Sequence, residues 1–301
     1  MLTFKINKAE KAYEVTKCDK NVTGTVTIPD TYSGKPVESI GKDAFKGCKN
    51  MTDVIIPNSI KQIGSRAFES CTGLTNIMIP DSVKKIWDST FLFCTGLTNI
   101  VIPDSVKTTG KTTFGGCTSL KSVVLSKNMK IGDLAFLECT SLASVTIPDG
   151  VKGIGKDCFR GCTGLASVAI PKSITLLDDR AFNDCTGLTS VTFQEGVKVI
   201  GQEAFKNCTG LTSVTIPEGV EEIEYGAFEN CKGLTSVTIP KTVVKMAKRV
   251  FEGCDKQLTV NVLGLCEKPE AWEDDWRSRD TCKCKNHKVI WDFGGKNIVE
   301  N

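Results

Sequence analysis

The stretch Cys208-Thr-Gly-Leu-Thr-Ser-Val-Thr-Ile-Pro-Glu-Gly-Val-Glu-Glu-Ile-Glu-Tyr-Gly-Ala-Phe-Glu-Asn, which ends just before Cys231, is one unit of a repeat that fills most of the chain. Three columns follow it. Phenylalanine recurs at Phe45, Phe68, Phe91, Phe114, Phe136, Phe159, Phe182, Phe205, Phe228 and Phe251. Cysteine recurs three residues later each time, from Cys48 to Cys254. A third column reads Ile28, Ile56, Ile79, Ile102, Leu125, Ile147, Ile170, Phe193, Ile216, Ile239 and Val262. The steps are 23 residues, with one of 22 in the fifth unit and one of 28 in the first. A period of this length marks a solenoid, in which each coil buries its apolar face only against its neighbours.

Within a unit, Leu-x-x-Val-x-Ile reads as a short strand. Leu211, Val214 and Ile216 face the core, and Ser213 and Thr215 face out. The proline that usually follows closes the strand, because it cannot donate to a ladder. Val220 and Ile223 turn inward again, and Ala227 and Phe228 fill a third side, expected as a short helical turn ending near Cys231. Strands one period apart run the same way, so the sheet is expected to be parallel, with rungs ending at each member of the third column. Phe4, Ile6, Tyr13 and Val15 alternate with polar residues and predict a hairpin over the first coil. The first coil carries an inserted loop, Asp30-Thr-Tyr-Ser-Gly-Lys-Pro-Val37.

Bulk composition excludes several classes. Net charge is +3 with 24% charged residues, which lacks the strong basic bias of a nucleic-acid binder. No apolar run is long enough to span a membrane. Met1-Leu-Thr-Phe-Lys-Ile-Asn-Lys has no apolar signal core, so a cytoplasmic location is expected on the sequence as given. A cell-surface or secreted location is the alternative if a signal has been removed. Of the 15 cysteines, ten form the repeat column and are expected to be buried, reduced and inert.

The pattern Ile-Pro-x-x-Val-x-x-Ile-Gly-x-x-Ala-Phe-x-x-Cys-x-x-Leu-x-x-Val resembles the BspA-type leucine-rich repeat over residues 21 to 262. The resemblance implies an α/β solenoid of horseshoe or arc form, mostly β with short helical turns, with its parallel sheet on the concave side. It implies a bacterial or protist protein, often surface-associated and adhesive, in a family without a shared enzymatic activity. The stretch with Trp272, Trp276 and Trp291 resembles the non-repeat cap of some members. The expected organisation is a capping segment at 1–24, repeats at 25–262 and a C-terminal cap at 263–301. The expected function is non-enzymatic protein binding through the concave face. The alternative is a carbohydrate-binding or adhesive bacterial cell-surface protein.

Catalytic signatures are sparse. His287 is the only histidine, so no Ser-His-Asp triad can form in the coils. Gly150-Val-Lys-Gly-Ile-Gly155-Lys156 resembles a phosphate loop until Asp157, where Ser or Thr belongs, and it is the repeat's own sequence. Cys282-x-Cys284-x-x-His287, with Cys266 upstream, offers four ligands for a structural zinc, the only cofactor the sequence suggests. The plainer reading is a polar hairpin between Arg279 and Val289, with the thiols free or one pair bridged.

The remaining signal is a broken column. The outward strand position reads Thr27, Ile55, Met78, Val101, Val124, Thr146, Ala169, Thr192, Thr215 and Thr238. Threonine suits an exposed strand. Four adjacent coils replace it with apolar residues, a strip roughly 14 Å long at the usual strand spacing. Ile55, Met78, Val101 and Val124 are therefore the candidate centre of a protein-binding site, with Asp53, Asn76, Asn99 and Ser122 as its polar rim. Drift among degenerate repeats is the competing account. The same coils carry Trp87 for glycine and Leu92-Phe93 for polar pairs, with Leu137 two coils later. That group is either part of a binding surface or local repacking.

Overall fold

The computed structural model describes residues 1–255, 257–265, 268–276, 288–293 and 296–300. They form two compact units, Met1–Lys152 and Gly153–Asn301. Each is a stack of coils with strands on two sides and tight turns on the third.

Met1–Lys152 begins with β1 (Leu2–Ile6) and β2 (Tyr13–Cys18), an antiparallel hairpin that carries the alternating Phe4, Ile6, Tyr13 and Val15. β3 (Gly24–Thr27) opens the first coil, and the inserted loop forms β4 (Thr31–Tyr32) against β5 (Lys35–Ile40). The long-strand side continues with β6 (Met51–Ile55), which pairs with β3 in parallel. The second side adds β7 (Gln62–Ile63) and β8 (Lys85–Ile86) to the hairpin, giving the order β1-β2-β5-β7-β8. β9 (Asn99–Val101), β10 (Ser122–Val124) and Ser144–Thr146 pair in parallel with Val101, Val124 and Thr146 in register. Register follows the repeat because a slip of one residue would turn every core side chain outward.

In Gly153–Asn301, Ser167–Ile170 pairs with Ser190–Phe193. Ser213–Thr215, Ser236–Ile239 and Thr259–Leu263 form a second parallel run, which Lys288–Phe293 and Lys296–Glu300 extend as a hairpin. Trp276 stacks edge-on against Phe251 at 6.0 Å, ending the phenylalanine column. Trp272 is buried beside it, and its indole N–H donates to the Val243 carbonyl at 3.1 Å.

The phenylalanine column is fully buried. In Met1–Lys152 the rings of Phe45, Phe68, Phe91, Phe114 and Phe136 stack at 4.9–5.3 Å. In Gly153–Asn301 those of Phe159 through Phe251 stack at 5.2–5.7 Å. The column cysteines are buried. They are more than small hydrophobes. Each thiol from Cys71 to Cys139 donates to the phenylalanine carbonyl of the coil before it, at 3.0–3.2 Å, and Cys185 to Cys254 do the same at 3.1–3.2 Å. Burial pushes Cys71 and Cys117 up to about 12 and raises Cys94, Cys185 and Cys208.

Two expectations need correction. The third side is not helical: none of the described residues is in a helix. Arg66 and Ser70 have positive φ (56° and 58°), which breaks any helical run every four residues. Alternate amides then point two ways. Ala67, Glu69 and Cys71 close turns onto Gly64, Arg66 and Phe68, while Arg66, Phe68 and Ser70 donate to Asp88, Thr90 and Leu92 of the next coil. The turn side is thus bonded coil to coil, as the strand sides are. The second correction concerns the rung ending at Ile79. Asn76–Ile79 keeps its in-out alternation but forms no strand, and β6 and β9 face it without pairing to it.

Candidate functional site

The broken outward column lies in Met1–Lys152. Its neighbours Val54, Ile77, Ile100 and Val123 are buried, so alternation drives the intervening side chains out. Ile55 is 52% exposed, Met78 80%, Val101 56% and Val124 56%. Asp53 is half-buried, and its carboxylate accepts the Val54 amide at 2.8 Å. Asn76 and Asn99 are exposed. The Asn99 carbonyl accepts the Ser122 hydroxyl at 2.7 Å, and its amide donates to Thr98 Oγ1 at 3.1 Å. Where the ladder is missing, a groove of about 370 Å³ runs between the Met78 and Val101 coils. Asn76, Met78, Asp81, Asn99, Val101 and Pro103 line it. This arrangement has an apolar floor and an amide and carboxylate rim, and offers no nucleophile paired with a base.

The Trp87, Leu92 and Phe93 group is explained by packing. Phe93 is 49% exposed, yet its ring lies over the next coil at Gly116, where an added Cβ would sit 2.4 Å from the ring. Leu92 lies over Gly115 in the same way, with a Cβ there 3.2 Å from its Cδ1. Bulk in one coil is matched by two glycines in the next. Trp87 is 38% exposed, with Lys85 Nζ 3.3 Å from its ring centroid and its indole N–H on Gln62 Oε1 at 3.4 Å. A double-mutant cycle checks the Phe93–Gly116 match. Gly116→Ser is expected to cost about 2 kcal/mol from overpacking. Adding Phe93→Ser should recover most of it, because serine already occupies this backbone conformation at Ser70. Equal costs with and without Phe93 would show that the glycine serves only its φ of +67°.

The proposed zinc ligands Cys266, Cys282, Cys284 and His287 lie outside the described residues. Among the described residues, no group of three or more His, Cys, Asp or Glu is placed to hold a metal. No helix there is long and apolar enough to cross a membrane. Asp157, the residue that departs from a phosphate loop, is buried and accepts Arg180 Nε at 2.9 Å. It belongs to a chain of ion pairs that the sequence reading missed. Arg180 also faces Glu203 at 3.9 Å, Lys206 joins Glu203 at 2.9 Å and Glu229 at 3.3 Å, and Arg249 meets Glu229 at 3.2 Å. The signal was present as opposite charges spaced by one period, as in Asp157, Arg180 and Glu203.

Stacked coils with parallel strands, an inward phenylalanine and cysteine column and no helix among the described residues define a leucine-rich-repeat solenoid. The chain belongs to the BspA-type leucine-rich repeat family, whose region of six copies matches residues 19–142 and 129–257. No curated protein matches it. Among solved structures, a leucine-rich repeat protein of T. pallidum is 29% identical with a TM-score of 0.53, over 70% of this chain and 87% of that one. A leucine-rich repeat protein of Bacteroides ovatus is 26% identical with a TM-score of 0.41, over 97% and 98%. A leucine-rich cell-surface protein of Faecalibacterium prausnitzii is 25% identical with a TM-score of 0.39, over 87% and 92%.

Proposed function

We propose that the chain is a non-enzymatic protein-interaction module that engages its partner on the outward strand face of coils two to five. The observation that carries this reading is the run of exposed Ile55, Met78, Val101 and Val124 at four adjacent rungs. No core requirement accounts for it, since these side chains point away from the core. Contiguous exposed apolar surface is the usual mark of a binding site, and a central apolar anchor usually holds most of the affinity. Preformed coils also reduce the ordering cost of association. Asp53, Asn76 and Asn99 act as the polar rim.

Met78→Asp combined with Val101→Asp is expected to abolish capture of partners from extracts of the source organism or its host, with the melting curve nearly unchanged. Thr192→Asp with Thr215→Asp, at exposed positions of the same column, is expected to leave capture intact. If the distal pair removes capture and the proximal pair does not, the strip reflects only strand propensity and the site lies elsewhere.

A further inference from the structure

Charge is unevenly spread in Met1–Lys152. On the second side, Lys61, Lys84, Lys85, Lys107, Lys130 and Lys152 are all exposed. Their coils are bonded in sequence: the Lys84 amide donates to the Lys61 carbonyl at 2.8 Å, and Lys130 to Lys107 at 3.0 Å. The N-terminal hairpin adds Lys5 and Lys8. With Lys61, Lys84 and Lys85 they rim a groove of about 440 Å³ on the outer face of the β1-β2-β5-β7-β8 sheet.

Only Glu14 and Glu38 among the lining residues oppose this charge. Glu38 pairs with Lys61, and Glu14 accepts the Ser39 hydroxyl at 3.3 Å. Lys84 and Lys107 donate to the backbone carbonyls of Asp81 and Asp104, at 3.1 and 2.9 Å. Among the described residues, Lys85, Lys130 and Lys152 have no ion-pair partner. Gly153–Asn301 treats the same position differently, pairing Lys198 with Glu221 at 2.9 Å and Lys245 with Glu222. The run of Lys84, Lys85, Lys107, Lys130 and Lys152 without a carboxylate partner among the described residues is therefore not a requirement of the repeat. Adjacent like charges repel, and an anionic partner relieves that repulsion.

We propose that this groove docks an extended acidic peptide segment of a partner protein. Three features select that occupant over other polyanions. The hairpin walls the groove on one side, which admits a chain and not a planar lipid surface. Arg66, the one arginine of Met1–Lys152, is held by Asp43 at 3.1 Å, so no guanidinium fork is offered to phosphates. Free stacking platforms for bases are also absent from this groove. Tyr13, the aromatic that lines it, packs edge-on against Tyr32 at 5.0 Å. Asn7, Ser39 and Gln62 line the groove and can bond peptide amides. Same-side carboxylates of an extended peptide are about 6.6 Å apart, and the flexible lysine stems absorb the mismatch with the coil spacing.

The test uses a fluorescein-labelled synthetic peptide alternating glutamate with serine, read by anisotropy on the full chain. Binding is expected, weakening steeply with salt. Lys84→Glu with Lys85→Glu should weaken it about ten-fold or more, and the Gln versions less. Lys198→Glu with Lys245→Glu, and separately Met78→Asp with Val101→Asp, should leave it unchanged. That last control separates the groove from the apolar strip. No peptide binding at low salt, or binding insensitive to the Lys84 and Lys85 changes, overturns the proposal. So does tighter binding to phosphatidylserine vesicles or a single-stranded oligonucleotide than to the peptide.

Discussion

Phe182→Ala is expected to destabilise the protein by about 3–5 kcal/mol, through lost burial and the cavity left behind. The ring is fully buried and stacked between Phe159 at 5.2 Å and Phe205 at 5.5 Å. Neighbouring coils cannot collapse into the gap, because their turns are tied across it. The Phe159 amide donates to Ala181 and the Phe182 amide to Ala204, each at 2.8 Å. Thr192→Ala, on an exposed strand position in the next coil, is expected to cost less than about 0.5 kcal/mol. Denaturant melts of both variants check the pair. A long array can unfold in stages, so midpoints are compared by a probe local to each coil. Similar shifts for the two would mean that the ring column does not carry the core.

The fold was legible because its determinants recur. Phe45 to Phe251, the cysteines three residues on and the alternating Val-Thr-Ile segments repeat a volume and a polarity at fixed spacing, and stacking converts that spacing into burial. The turn side was less legible. Ala-Phe-x-x-Cys places apolar residues three apart, as a helix does, and the positive φ that prevents a helix falls on ordinary residues such as Arg66 and Glu203. Asn207 and Asn230, in the Ser70 column two residues after the phenylalanine, were the available hint, since asparagine tolerates that conformation. The Phe93–Gly116 match and the Asp157–Arg180–Glu203 chain depend on side chains one period apart. A reading along the chain misses them, and one down the columns recovers them. For the candidate strip, the departure from threonine was visible in sequence. The missing ladder at Asn76–Ile79 was not, because its residues keep the strand alternation.

Stability is expected to fall steeply at alkaline pH, and the thiol column is the reason. Burial raises Cys71 and Cys117 from 9.0 to about 12, and raises Cys94, Cys185 and Cys208 as well. For Cys254 the neighbouring Cys231 thiol is the largest cause of the rise, with burial second. A folded thiol with a raised pKa keeps its proton where the unfolded one has lost it. Between pH 9 and 12 the unfolded chain therefore binds fewer protons, and stability falls as pH rises; below pH 9 the contribution is complete. Each such thiol adds a slope of up to about 1.4 kcal/mol per pH unit. Cys71→Ala with Cys117→Ala should cost about 1 kcal/mol per site at neutral pH, from a lost weak bond and a small void. It should also flatten the alkaline fall relative to the parent chain. Lysine and tyrosine titrate in both proteins and cancel in the difference. The same burial leaves native thiols closed to alkylation near neutral pH, since only exposed thiolate reacts. Rapid iodoacetamide labelling of the column cysteines, or parallel pH profiles for the two proteins, would show that the thiols are not held protonated by the stack.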